Sequence, residues 1–225
     1  MQSCTSLMLA TLVCSALALG QAPFLYPAVN PNVTDAYQIG YAANLNVGDS
    51  VLNLSNDGVN GAAAAGNICV NVFTFDATEE EIACCACLVT PDGLNSLSVK
   101  ADLVSNTLTP AVPSSAIIKL VSSFPAADAG GNPTICNPAG IYTLTLGGPA
   151  VANLAAGMRA WGTTIEPDGG AATYGVVSVL YQASALSPSE ILRLTRSCSF
   201  LQQEGSGFGV CKSCMLGGLA GVNQQ

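Results

Sequence analysis

The sequence predicts a mostly-β fold: an antiparallel β-sandwich with one C-terminal helix, braced by disulfides. Three observations carry that prediction. Residues 96–103 (SLSVKADL) alternate polar and apolar side chains without a break, the pattern of a strand with one dry face and one wet face. Short apolar runs recur along the chain, separated by clusters of Gly, Pro, Asn and Asp, as in all-β domains. Eight cysteines follow an uncharged, apolar leader, the arithmetic of a disulfide framework in an exported chain.

The leader comes first. Residues 1–20 contain no charged side chain, Leu7 to Leu19 is apolar, and Ala18-Leu19-Gly20 is a small-x-small cleavage site. This reads as a signal peptide covering 1–20, with Gln21 the first residue after cleavage. Residues 21–205 then read as a single β-sandwich-like domain, and 206–225 as a Gly-rich, Cys-containing tail held only by Cys211 and Cys214. Ala36 to Ala43 is a first strand, Asn46 to Asp49 a turn, and Val51 to Leu54 a second strand. Asn56 to Gly66 is a loop.

Ile68 to Leu103 is the organising stretch. Ile68 to Phe75 carries Val, Ile and Phe on both faces, as in a strand covered on two sides. Cys84 to Val89 is expected to pair with the strand 96–103 through a turn at Thr90-Pro91-Asp92-Gly93, in which proline presets φ and Gly93 takes φ > 0. Because strand side chains alternate, Cys85 and Cys87 share one face and Cys84 points to the other.

Ala116 to Val121 is a short buried strand. Pro125 to Gly140 is a long loop that Cys136 can tie down, and Ile141 to Leu146 is another strand. Met158 to Ile165 and Tyr174 to Ala183 form a hairpin around Pro167-Asp168-Gly169-Gly170. Ser187-Pro188-Ser189-Glu190 is a capping box with proline at the first helical position, so a helix spans 188–204. It carries Ile191, Leu194, Cys198 and Leu201 on one face.

Composition removes several function classes. Charged residues make up 9 % of the chain, against about 25 % in ordinary domains, so the surface is built largely from uncharged polar residues. The net charge is −8, and the six Lys and Arg are scattered. Phosphate-neutralising clusters are missing, which excludes nucleic-acid binding. There is no histidine, which excludes Ser-His-Asp and Cys-His catalysis and histidine metal sites.

The remaining candidates are few. Cys69, Cys84, Cys85, Cys87, Cys136, Cys198, Cys211 and Cys214 read as disulfide partners whose pairing the sequence leaves open. Cys211-Lys212-Ser213-Cys214 has redox spacing but follows the last helix instead of opening one, so structural disulfides are the expectation. A four-thiolate metal site gives way to the same reading. Asp76, Glu79, Glu80 and Glu81 lie within six residues and are calcium candidates, though a solvated acidic turn is the plainer expectation. No other cofactor is expected. Arg159 and Trp161 share a strand face and are a candidate sugar-stacking pair, with Trp161 in the core as the favoured alternative. Asn32-Val33-Thr34 and Asn53-Leu54-Ser55 match the glycosylation pattern.

The phrases VNPNVTDAYQIGYAANLNVGDS, CLVTPDGLNSLSV, SNTLTP, LRLTRSCSF and GSGFGVCKSC, in this order, resemble those of uncharacterised secreted bacterial proteins. The resemblance spans nearly the whole mature chain and implies export. The leader, the sparse charge, the cysteines and the missing histidine together lead to a non-enzymatic expectation: an exported surface or extracellular structural protein, acting through contacts with itself or with other surface or matrix molecules and with no membrane span in the mature chain. A carbohydrate- or calcium-dependent binding module is the alternative.

Overall fold

The computed structural model describes residues 28–30, 32–108, 111–143, 151–170, 173–203, 208–211 and 215–216. The expected signal peptide, with Cys4 and Cys14, lies outside these residues, as does Cys214. In chain order the elements are β1 (Tyr37–Ala42), β2 (Val51–Asn56), β3 (Ile68–Phe75), β4 (Glu81–Val89), β5 (Leu94–Ser98), β6 (Ala116–Ser123), β7 (Ala126–Ala127), β8 (Pro133–Ile135), β9 (Tyr142–Thr143), β10 (Val151–Ala152), β11 (Met158–Pro167), β12 (Tyr174–Leu180), β13 (Gln182–Ala183), α1 (Pro188–Gln203) and β14 (Met215–Leu216).

Two five-stranded antiparallel sheets carry the fold, in the orders β13-β1-β6-β3-β4 and β12-β11-β2-β5-β14. One apolar cluster joins them face to face. It takes Val70, Val72 and Leu120 from the first sheet and Leu52, Leu97 and Met158 from the second. A second cluster lies on the far side of the first sheet, where Phe73, Phe75 and Val121 meet Ile191, Leu194 and Leu201 of α1. The first sheet is thus a central layer, covered by the second sheet on one side and by the helix on the other.

This layering explains β3. All eight of its residues are buried, because alternate side chains enter the two separate clusters. It also explains the cysteines of β4. Cys84 lies in the helix-side cluster, whereas Cys87 lies in the sandwich cluster and Cys85 packs against it. The opposition read from strand alternation is what the structure contains.

The helix forms as its start signals predict. Pro188 is the first helical residue, and the backbone N–H of Glu190 donates to Ser187 Oγ at 3.1 Å. The reciprocal half of the capping box is absent. The Glu190 carboxylate instead accepts from Lys119 Nζ at 2.6 Å and from Arg193 at 2.9 and 3.1 Å. Ser187→Ala is expected to lower stability by about 1 kcal/mol, read from urea unfolding. An unchanged midpoint would mean that packing alone fixes the helix start.

Three expectations are corrected. First, β4 and β5 do not pair. β4 pairs with β3, whereas β5 pairs with β2 and β14. The turn at 90–93 carries the chain from one sheet to the other and is tied to the end of β2, where Asp92 N–H donates to the Asn56 carbonyl at 2.9 Å. Within that turn Asp92, not Gly93, takes the positive φ, 59°. Asp tolerates this left-handed conformation better than most side chains.

Second, the alternating stretch 96–103 is strand only to Ser98, and Val99–Leu103 is a π-helical turn. Local polar groups outcompete the ladder there. Ser98 Oγ accepts from Ala101 N–H at 2.7 Å, Asp102 accepts from Ser98 N–H at 2.7 Å, and Asp49 accepts from Lys100 N–H at 2.9 Å.

Third, the tail is held by backbone pairing as well as by sulfur. Cys84 N–H donates to the Gly209 carbonyl at 2.9 Å, and β14 joins the edge of β5. The expected strand 141–146 appears as β9, its last three residues falling outside the described ones.

Candidate functional site

The sulfur framework is resolved by pairing. Cys69 bonds Cys136, Cys84 bonds Cys198, and Cys85 bonds Cys211. Cys87 is also disulfide-bonded. Each of the three described bridges ties a different peripheral element to the central sheet: the long loop to β3, the helix to β4, and the tail to β4. The tie expected of Cys136 exists, and Cys198, on the apolar face of the helix, staples α1 to β4.

The acidic turn does not stay together. Asp76 Oδ1 accepts from Thr78 N–H and Oγ1 at 2.8 Å each and from Glu80 N–H at 3.0 Å. Burial opposes ionisation of Asp76, but these hydrogen bonds prevail and hold its carboxyl below the ordinary value. Glu79 and Glu80 are exposed. Glu81 is buried, and neither of its carboxylate oxygens has a hydrogen-bond partner. No three of these four residues bring ligand atoms within 4.8 Å of one another.

A bulge separates Glu81 from its neighbours. Phe75 pairs with Glu81 and Thr74 pairs with Ala83, so Ile82 is the extra residue. The extra residue lets Ile82 enter the sandwich core and places Glu81 on the helix side, level with Phe75. There it meets a polar group under α1: Tyr37, Lys119, Glu190 and Arg193. Both cations lie 4.9 Å from the centroid of the Phe75 ring. Burial pushes Glu81 up to about 8, against the opposing pull of Arg193. Burial also opposes ionisation of Glu190, yet hydrogen bonds from Arg193 and Lys119 hold it below its ordinary value. Burial, then the Glu190 charge, keeps the Tyr37 hydroxyl protonated.

Two carboxyls pushed in opposite directions can mark an acid–base pair. Here the ionised member is neutralised by two cations and braces the helix against β6. The Glu81 carboxyl also lies within 4.8 Å of the Cys84 and Cys198 sulfurs, but those sulfurs are joined in a cystine and offer no thiolate to a metal.

Trp161 is not a core residue. On β11, Met158 and Ala160 face the sandwich interior, while exposed Arg159 and half-buried Trp161 lie on the opposite, outward face. The only tryptophan of the chain is therefore partly exposed on the outer face of β11. Cross-strand register puts Leu180, Trp161, Asn53, Ser96 and Met215 in one row across this sheet. Arg159 pairs with Asp57 at 3.0 Å. Asn53 is buried in the row and accepts from Ser96 Oγ at 2.6 Å. Asn32 is exposed.

Sequence reading missed the polar group under the helix. Its one available signal was the pair Lys119 and Glu190, each a charge set beside an apolar stripe. Among the described residues, no helix is long and apolar enough to cross a membrane. No protein-family model, no curated protein and no solved structure matches this chain.

Proposed function

We propose that this chain is an exported, non-enzymatic surface or extracellular structural protein, acting through contacts with itself or with other surface molecules. The observation that carries this reading is the sulfur framework. Three cystines fasten loop, helix and tail to one central sheet, and such cross-links persist in oxidising compartments. The low charge, the absence of histidine and the leader-like residues 1–20 support it. On this reading 21–205 is one domain and the mature chain begins near Gln21.

The test is to express the full chain and recover it from the medium or envelope. The expected result is a chain cleaved after Gly20, with no free thiol among its eight remaining cysteines and with concentration-dependent sedimentation. Retention in the cytoplasm with reduced thiols would overturn the reading.

One observation favours the carbohydrate-binding alternative: Trp161 and Arg159 share the outward face of β11. Because Trp161 is the sole tryptophan, its fluorescence reports directly on that face. A saturable change on titration with an oligosaccharide, lost in Arg159→Ala, supports this alternative; no response across neutral and acidic oligosaccharides removes it. The calcium form of the alternative has no comparable support, since the acidic residues are dispersed.

A further inference from the structure

A sheet edge carries a row of backbone donors and acceptors that can pair with another strand. The two large sheets have four edges, and three are blunted. β13 and β14 are two residues each. β4 is long, but Cys84 is bridged to Val210 along its edge, and Cys85 is bonded to Cys211.

The fourth edge is different. β12 is seven residues long, and among the described residues it pairs only with β11. Its sequence, YGVVSVL, holds no charge and no proline, the devices that normally protect an edge. Val176 is 69 % exposed and Leu180 72 % exposed, and Tyr174 and Val177 are exposed as well. Beside it runs a groove of about 560 Å³, walled by Tyr41, Ile117, Val179 and Leu180, with Glu166 its one charged lining residue.

We propose that the free edge of β12 docks against β12 of a second copy of this chain, forming one continuous antiparallel sheet across a two-fold axis. The charge distribution selects this occupant. A chain of net charge −8 repels its own copies wherever acidic residues meet, whereas β12 itself carries none, and Glu166, beside Gly175 on β11, is held apart from its two-fold mate by both copies of β12. A two-fold axis at Val177 sets Tyr174 opposite Leu180, Gly175 opposite Val179 and Val176 opposite Ser178. Every pair is uncharged, and the aromatic–aliphatic pair favours the contact. Both residues of the Tyr174–Leu180 and Val176–Ser178 pairs fall on the Trp161 face, so the joined sheets would present one extended outer surface.

This inference rests on the self-association reading and deepens it. The test uses the full-length, oxidised chain in sedimentation velocity over a wide dilution series, with hydrogen exchange at residues 174–180. The variants are Val176→Lys and the uncharged control Val176→Thr. The expected result is a dimer whose edge amides gain protection with concentration. Val176→Lys should weaken dimerisation by roughly tenfold or more, Val176→Thr should retain it, and both should melt like the parent because the side chain is exposed.

A parent chain that is monomeric at every concentration overturns both the edge and the self-association reading. A dimer indifferent to Val176→Lys, with unprotected edge amides, overturns the edge alone. Protected edge amides in a monomer mean that a segment of the same chain covers β12, and this too overturns the proposal.

Discussion

Glu81→Gln is expected to stabilise the protein at alkaline pH and to leave it nearly unchanged at acid pH. The folded chain holds the Glu81 proton up to about pH 8, against an ordinary value of 4.5. The folded state therefore binds this proton more tightly than the unfolded one. Stability from this group is greatest below pH 4.5, falls as pH rises, and is fully lost above pH 8. Converted at about 1.4 kcal/mol per pH unit, the parent should lose on the order of 3–5 kcal/mol relative to Glu81→Gln across that window.

The groups facing Glu81 set the size of the effect. Arg193 and Lys119 lower its pKa, while Glu190 adds to burial in raising it. Glu190 and Asp76 are held below their ordinary values and so carry the opposite dependence, losing stability as pH falls. The measurement is therefore the difference between parent and variant in urea midpoints from pH 4 to pH 9. Parallel curves would show that Glu81 finds a partner in solution that satisfies its charge.

Cys84→Ala combined with Cys198→Ala is expected to lower stability by about 3 kcal/mol from the lost cross-link, with a further loss from the emptied volume. The bridge spans 114 residues of sequence, but Cys85–Cys211 already joins the neighbouring positions, so it closes a loop of only about 15 residues, which restricts the unfolded ensemble by about 3 kcal/mol in the chain-entropy account. Both cysteines are fully buried, so truncating them also opens a void between α1 and β4. Hydrogen exchange distinguishes the two contributions. Loosening confined to α1 reports the void and the lost staple, whereas a uniform rise across both sheets reports the global entropy change. A loss below about 1 kcal/mol would mean that the ion pairs of Glu190 and the apolar stripe hold the helix without sulfur.

These two effects meet at one place that sequence reading divided among separate features. Cys198 and the apolar stripe of α1 were legible because 3.6-residue periodicity puts Ile191, Leu194, Cys198 and Leu201 on one face. Glu81 was not, because four acidic residues in a short segment read as one solvated turn. A single bulged residue, Ile82, divides them, leaving Asp76 to cap the turn and turning Glu81 toward the helix. Trp161 was misplaced for a related reason. Its parity on β11 was plain, but parity does not say which of the two faces is buried. The pattern of 96–103 failed differently: the alternation is genuine, yet Ser98, Asp102 and Asp49 offer the backbone closer partners than a neighbouring strand does.

Residue order alone was enough for the β class, the two-faced burial of 68–75, the opposed directions of Cys84 and Cys85, and the position of the C-terminal helix with its serine cap. Each follows from geometry within one stretch of chain, where pleat and helical pitch repeat over a few residues. Packing across the whole molecule was needed to settle which cysteines bond, that β4 and β5 part into different sheets, that Glu81 is buried and that, among the described residues, β12 pairs on one side alone. Those outcomes depend on register between strands far apart in sequence, and a shift of one residue there reverses which face each side chain presents.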